Sequence, residues 1–251
     1  MTDKTTPQDR QQDTADQGGD QARLAELERG LASTRVQISE LAAEVGRPAP
    51  RLLPVTKFHP AEDIALLSQL GVNDVAENRE QEARAKSEQL PEMRFHMIGQ
   101  IQTKKANHVA RWAHSVHSLD SEKLAHALDR GVELARERGQ RSENLPVYVQ
   151  LSYDSDPSRG GAAWDTAEDL LRVVEDLDNL ELRGIMVVPP VEADAAEVFA
   201  SARQLVDELG EKLGHALELS AGMSADLREA IFAGTDIVRV GTGIMGARPV
   251  G

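Results

Sequence analysis

The sequence predicts an α/β fold, a single closed (β/α)8 TIM barrel preceded by one extra helix. Three observations carry that expectation. Beyond about residue 50, short apolar strand-like runs alternate with helical patterns, and such alternation builds a parallel sheet covered by helices. Eight strand–helix units fall within about 200 residues, near the short end for a closed barrel. The unusual polar residues collect at the C-terminal ends of the predicted strands, the end where barrels of this type carry their sites. An open doubly wound sheet is the second architecture that fits. No strand–Gly-x-Gly-x-x-Gly–helix fingerprint occurs, which lowers a dinucleotide-binding reading.

Residues 1–20 are dominated by Thr, Asp, Gln, Gly and Lys. Such a segment buries too little apolar surface to offset its ordering entropy, so a disordered polar tail is expected there. A helix is expected over residues 21–45, continuous with the barrel domain that makes up 21–251. Leu24, Leu31, Ile38 and Val45 repeat every seven residues, with Leu27 and Leu41 at complementary positions. A short coiled coil shows this pattern, and so does a helix lying along the domain. Thr34 interrupts the seam and Gly30 lies inside it, which favours packing on the domain. Gly46, Pro48 and Pro50 end the helix.

Strand-like runs follow at Leu52–Lys57, Asp74–Glu77, Arg94–Ile98, Ser115–Leu119, Val147–Ser152, Leu182–Val187, Leu217–Ser220 and Ile237–Val240. Helical patterns lie between them, at about Pro60–Leu70, Arg79–Glu88, Thr103–Ala113, Ser121–Arg138, Thr166–Leu177, Ala193–Leu213 and Ala225–Ala233. Pro60 suits a first-turn position, and Ser121 and Ser224 suit N-caps. Gly71, Gly139 and Gly234 stand where helix C-terminal glycines belong.

Composition removes several function classes. A net charge of −14 argues against general nucleic-acid binding. The absence of cysteine excludes disulfides, thiolate catalysis and cysteine metal sites, and fits a cytoplasmic protein. No run reaches the apolar length of a membrane span, and no signal-type apolar region opens the chain. No metal-ligand set is assigned.

Leu53, Val55 and Lys57 share one face of the first strand by alternation. An ammonium continuing an apolar face is costly unless it is paired or deprotonated. Two readings fit: a nucleophilic amine, or a strand-end lysine whose stem packs while its head reaches water. Ser220–Ser224 and Arg239–Gly243 form glycine-bearing turns after the seventh and eighth strands. Barrels often hold phosphate there, with Ser224 and Thr242 as added donors; tight turns and an N-cap explain the same residues. Arg239 shares a face with Ile237, so it needs an acceptor, either a ligand or a partner such as Glu77 or Asp120. His96 fits a core-edge histidine as well as a site residue.

Six segments together resemble one family. They are Pro54–Lys57, Ala76–Glu82, Phe95–Lys105, Leu182–Met186, Leu219–Asp226 and Val238–Gly246. In order and in content they resemble the YggS/PROSC family of pyridoxal phosphate homeostasis proteins, whose barrel is similar to that of alanine racemase, the fold type III architecture. The resemblance implies that Lys57 forms a Schiff base with pyridoxal 5′-phosphate (PLP). It implies that Ser224, Gly241 and Thr242 bind the phosphate, that Arg239 faces the pyridine nitrogen, and that Asn78, His96 and Met186 line the pocket. An arginine at that nitrogen keeps it unprotonated and makes the cofactor a weaker electron sink. Departures from the family pattern are Thr56 in place of serine, Thr103 in place of asparagine or serine, and Arg159 in place of lysine before Gly160.

The resemblance implies cofactor storage and delivery in the cytoplasm, with PLP-dependent apoenzymes as partners and a monomeric state; the heptad-like helix leaves a dimer open. Racemisation needs a base on each face of the α-carbon. The sequence carries two tyrosines, Tyr148 and Tyr153, and ends shortly after the eighth strand, so a carrier is expected rather than a racemase of low activity. A phosphosugar-binding barrel enzyme without PLP is the third expectation.

Overall fold

The computed structural model describes residues 7–153 and 160–247. Its helices are α1 (Pro7–Glu44), α2 (Ala61–Gln69), α3 (Glu80–Gln89), α4 (Ala106–Trp112), α5 (Glu122–Glu137), α6 (Ala167–Glu175), α7 (Ala195–Leu213), α8 (Leu227–Ala233) and α9 (Thr242–Met245). Its strands are β1 (Arg51–Pro54), β2 (Asp74–Glu77), β3 (Arg94–Met97), β4 (Ala113–Leu119), β5 (Leu145–Ser152), β6 (Ala162–Ala163), β7 (Leu180–Val187), β8 (Glu218–Ser220) and β9 (Ile237–Val240).

The strands pair in parallel in the order β1-β9-β8-β7-β5-β4-β3-β2, with β6 attached to β5. A parallel bridge between Val55 and Ala76 joins the two ends of that order, so the ring closes. Closure removes the sheet edges that would otherwise template association. The expected barrel and its extra helix are borne out. Two short elements escaped the sequence reading, β6 and α9, because neither is long enough to show a period.

Most of the apolar core lies between the strands and the outer helices, as parallel sheets covered on the outside require. The lumen is different. Its apolar cluster is small: Leu53, Val55, Ala76, Tyr148, Met186 and Ile237. Polar side chains fill the rest. His117 on β4 and Ser220 on β8 approach to 2.9 Å (Nδ1–Oγ), although two strands separate β4 from β8 in the ring. The contact therefore crosses the lumen.

Helix α1 packs on the barrel. Leu27, Leu31, Thr34, Ile38, Leu41 and Ala42 are its buried residues, and the apolar ones share a core with α2, α8 and β9. The helix starts at Pro7, so its first turns lie within the stretch expected to be polar tail; residues 1–6 fall outside the described residues. Propagating a helix already nucleated by packing costs far less than starting one, which offsets the weak helix formers Asp, Gly18 and Gly19 in this stretch. Gly30, which the sequence shows only as a weak helix former, has a packing reason: a Cβ there would sit 2.7 Å from Ile244 O and 2.9 Å from Gly243 O.

Most helix signals hold. Ser121 caps α5, accepting from Leu124 N–H, and Gly234 ends α8 in the left-handed region at φ 88°. Pro60 is the N-cap of α2 rather than its first residue. Ser224 is not a cap, because α8 begins three residues later with Asp226 at the N-cap position.

Candidate cofactor site at the C-terminal mouth

Lys57 is half-buried at the C-terminal rim of the barrel, just past β1. The backbone on both sides of it is clamped. Thr56 N–H donates to Ala76 O at 3.0 Å, and Thr56 Oγ1 donates to Glu77 Oε1 at 2.7 Å. Lys86, reaching in from α3, donates to Thr56 O at 3.2 Å and to Glu77 Oε1 and Glu82 Oε1 at 2.7 Å each. Glu82 in turn accepts from Phe58 N–H at 2.9 Å. Phe58 has φ 70°, a conformation a bulky residue adopts only when its surroundings enforce it. The Arg79 guanidinium lies 5.0 Å over its ring. Burial pushes the Glu77 carboxyl up, and the Lys86 ammonium opposes that shift. Sequence reading saw Glu77 as a possible partner of Arg239; the structure gives it to Lys86.

Asn78 follows β2 and packs under Gly99, where a Cβ would lie 1.9 Å from Asn78 O. Asn78 and Met186 line a cavity of about 340 Å³ with Ile98, Gln150, Ser152 and Val188. Arg239 is buried on β9. Its Nη1 donates to Ser220 Oγ at 2.8 Å and its Nη2 to Val187 O at 3.0 Å. Burial lowers its pKa to about 10, so it is still a cation at neutral pH. Among the described residues no carboxylate lies within ion-pair range of it. Asp120 accepts from Ser121 Oγ instead.

The turn after β9 is closed by Ile244 and Met245 N–H bonds to Gly241 O. Thr242 and Gly243 lead this turn, and Ser224 Oγ lies beside Gly243. Thr242, Gly243 and Ser224 are all exposed. Helix α1 supports the turn from behind. Arg23 Nη2 donates to Met245 O at 3.0 Å and to Asp63 Oδ2 at 2.6 Å. His59 Nδ1 lies 3.1 Å from that same Asp63 oxygen.

Seven of the eight residues singled out in the sequence therefore lie at or face this mouth: Lys57, Asn78, Met186, Ser224, Arg239, Gly241 and Thr242. His96 does not. It sits in the lower lumen, with Nδ1 2.6 Å from Ser115 Oγ and Nε2 2.9 Å from Asp74 Oδ1, and it lines the cavity at the opposite mouth. Its place on β3, one residue before the strand ends at Met97, puts it about one layer below Ile98. Residues the sequence reading missed are Lys86, Glu82 and Arg23; a helical lysine or arginine carries no local sign of what it reaches. Arg159 lies outside the described residues.

A family model described as alanine racemase, N-terminal domain, matches residues 31–249. A pyridoxal phosphate homeostasis protein of Corynebacterium glutamicum is 53% identical over 219 residues, which is 86% of this chain and 99% of the relative. This chain belongs to the pyridoxal phosphate homeostasis protein family. The family member of Escherichia coli is 32% identical over 238 residues, 90% of this chain and 98% of the relative. Among solved structures, PipY of Synechococcus elongatus with PLP bound superposes with a TM-score of 0.75 at 32% identity, covering 88% of this chain and all (100%) of that one. Alanine racemase of Corynebacterium glutamicum shares the fold, with a TM-score of 0.67 at 15% identity over 90% of this chain and 62% of that one.

Proposed function

We propose that this chain binds pyridoxal 5′-phosphate at the C-terminal mouth, holds it through Lys57, and serves its intracellular storage and delivery. The observation that carries the proposal is Arg239, a buried cation that among the described residues has no carboxylate in ion-pair range, placed on the face that also ends in Lys57 and the Gly241 turn. Its two hydrogen bonds go to neutral oxygens and Asp226 acts on its charge from beyond ion-pair range, so an acceptor on a ligand would complete its surroundings. The residues present fit the group. Thr242, Gly243 and Ser224 offer backbone and hydroxyl donors for a phosphate, and Asn78 and Met186 line the adjoining cavity.

Bound PLP supplies an aldehyde that condenses with an amine and a ring that withdraws electrons. Lys57 would contribute the amine, and the clamp fixes the backbone from which its side chain extends. Arg239, which keeps its own proton at neutral pH, would face the ring nitrogen as a donor and would leave it unprotonated. Electron withdrawal is weak in such a setting, which suits holding a cofactor over turning over a substrate. Tyr153, a candidate second base, is exposed and stacks edge-on against Trp164 at 5.5 Å, which supports the carrier reading over a racemase. The PLP-bound relative and the relatives' names support the same reading. The protein is expected to act as a cytoplasmic monomer that passes cofactor to apoenzymes; among the described residues no helix is long and apolar enough to cross a membrane.

The test is an absorbance spectrum of purified protein with added PLP. A band near about 420 nm that disappears in Lys57→Ala is expected. Its absence in the wild type overturns PLP binding through Lys57. Sustained turnover of D- or L-amino acids that is lost in Lys57→Ala overturns the carrier reading in favour of a racemase.

A further inference from the structure

We propose that Asp74, His96 and His114 form a binding site for one divalent cation of the zinc class at the N-terminal mouth of the barrel, the end opposite Lys57. One donor atom from each of the three lies within 4.8 Å of the other two. A tetrahedral zinc with ligands at about 2.1 Å holds its donors about 3.4 Å apart. The set is therefore within about 1.4 Å of that geometry at its widest. His96 Nε2 and Asp74 Oδ1 are 2.9 Å apart already. His114 is exposed, so its ring is the ligand that swings in.

The two inner ligands are oriented by hydrogen-bond partners. Ser115 Oγ holds His96 Nδ1 at 2.6 Å, which leaves Nε2 as the ligating nitrogen. Arg94 holds both oxygens of Asp74, at 2.8 Å and 2.5 Å. Such outer bonds fix ligand orientation at metal sites. The three ligands stand on adjacent strands, β2, β3 and β4, whose pairing sets their spacing. A rigid sheet is a better platform for a metal than a loop.

Four arginines line the same cavity, Arg35, Arg51, Arg94 and Arg183. Arg51 and Arg183 are paired with Glu218 and Glu181, and Arg94 with Asp74 itself, so a cation shares that carboxylate with Arg94; the three arginine side chains are 60%, 42% and 50% exposed, so solvent screens their repulsion. The cavity, about 590 Å³, leaves room for a water as fourth ligand. Two imidazoles and one carboxylate suit Zn(II), Co(II) or Ni(II), whereas Mg(II) and Ca(II) prefer all-oxygen sites. The cation takes the place of the His96 Nε2–Asp74 contact: Nε2 ligates through its lone pair, and the ring's single proton stands on Nδ1, which donates to Ser115 Oγ.

The experiment is calorimetric titration of chelator-treated, full-length protein with zinc chloride, repeated with cobalt(II) and followed in the visible. One equivalent is expected to bind, with the intense d–d bands of low-coordinate cobalt. His114→Ala and Asp74→Asn are each expected to weaken zinc binding by about tenfold or more. His114 is exposed and remote from Lys57, so His114→Ala keeps the fold and the PLP absorbance, which serves as the internal control. No saturable zinc binding in the wild type overturns the proposal. So does a weakening of less than about tenfold in His114→Ala.

Discussion

Lys86→Met removes the cation from the buried network behind Lys57. The Lys86 and Glu77 side chains are 7% and 0% exposed, so the pair is shielded from solvent. Removing one partner of such a pair costs about 3–5 kcal/mol when the other stays charged. Glu77 has an alternative, which is to take up a proton. Raising its pKa from the ordinary 4.5 to pH 7 costs about 3.4 kcal/mol at 1.36 kcal/mol per unit. Burial has already moved Glu77 part of that way, so the loss at pH 7 is about 2–4 kcal/mol. For a chain of this size that lowers Tm by about 4–16 °C. The sign of the pH dependence follows. In the variant the native state binds a proton that the unfolded state lacks, so its deficit shrinks as pH falls from 7 toward 5. Urea unfolding of both proteins at pH 5 and pH 7, with PLP affinity measured alongside, makes the comparison. Glu77→Leu/Lys86→Met is expected to recover stability, because apolar replacement of a buried pair is often neutral. It is not expected to recover PLP affinity, since Thr56 O and Thr56 Oγ1 have lost their anchors. A loss below about 1 kcal/mol in Lys86→Met at pH 7, or an equal loss at both pH values, would refute this account of the clamp.

Three further outcomes are expected. Burial lowers the pKa of His59, against the pull of Asp63, so between pH 6.5 and its native value the unfolded state binds the proton and stability falls on acidification. The slope is at most about 1.4 kcal/mol per pH unit, and denaturation at pH 5.5 and 7.5 should show it in the wild type but not in His59→Gln. Gly99→Ala places a Cβ 1.9 Å from Asn78 O, a clash with backbone worth about 1–3 kcal/mol or more; a lower urea midpoint together with weaker PLP binding is the expected readout. Arg239→Met should leave the PLP-free protein within about 2 kcal/mol of wild type, or more stable, while cutting the thermal stabilisation that added PLP confers.

The barrel was legible because its evidence is repeated. Each strand and helix is a weak signal, but eight units in register with turn residues agree on one closed architecture. The rim was legible for a related reason: a parallel barrel puts every strand's C-terminus on one side, so Lys57, Asn78, Arg239 and Gly241 converge by topology. Depth within the lumen was not legible. His96 and Ile98 share a face by alternation, yet His96 bonds to Asp74 in the lower lumen while Ile98 lines the cavity at the C-terminal mouth. The layer a lumen residue occupies depends on strand stagger, which no single strand encodes. The clamp was hidden for a different reason. Lys86 lies on an α3 face that reads as solvated, and only the tertiary fold carries it down to Thr56.

The polar lumen and the site at its mouth are consequences of one another. Barrel interiors of this size are usually filled by branched apolar side chains. Here Arg239 passes its charge to Ser220, and Ser220 meets His117, which stacks on Tyr148 at 4.2 Å. Burial holds His117 well below its ordinary pKa, so it is neutral and accepts from Ser220 Oγ at Nδ1 while Ser220 accepts from the arginine. A protonated His117 would turn that acceptor into a donor and leave Ser220 facing two cations. The neutral histidine is therefore what lets the hydroxyl serve the arginine, and the arginine is in turn what a ring nitrogen at the mouth would meet. Replacing the chain with apolar residues would make a better core and leave nothing in the lumen to hold the guanidinium at the mouth.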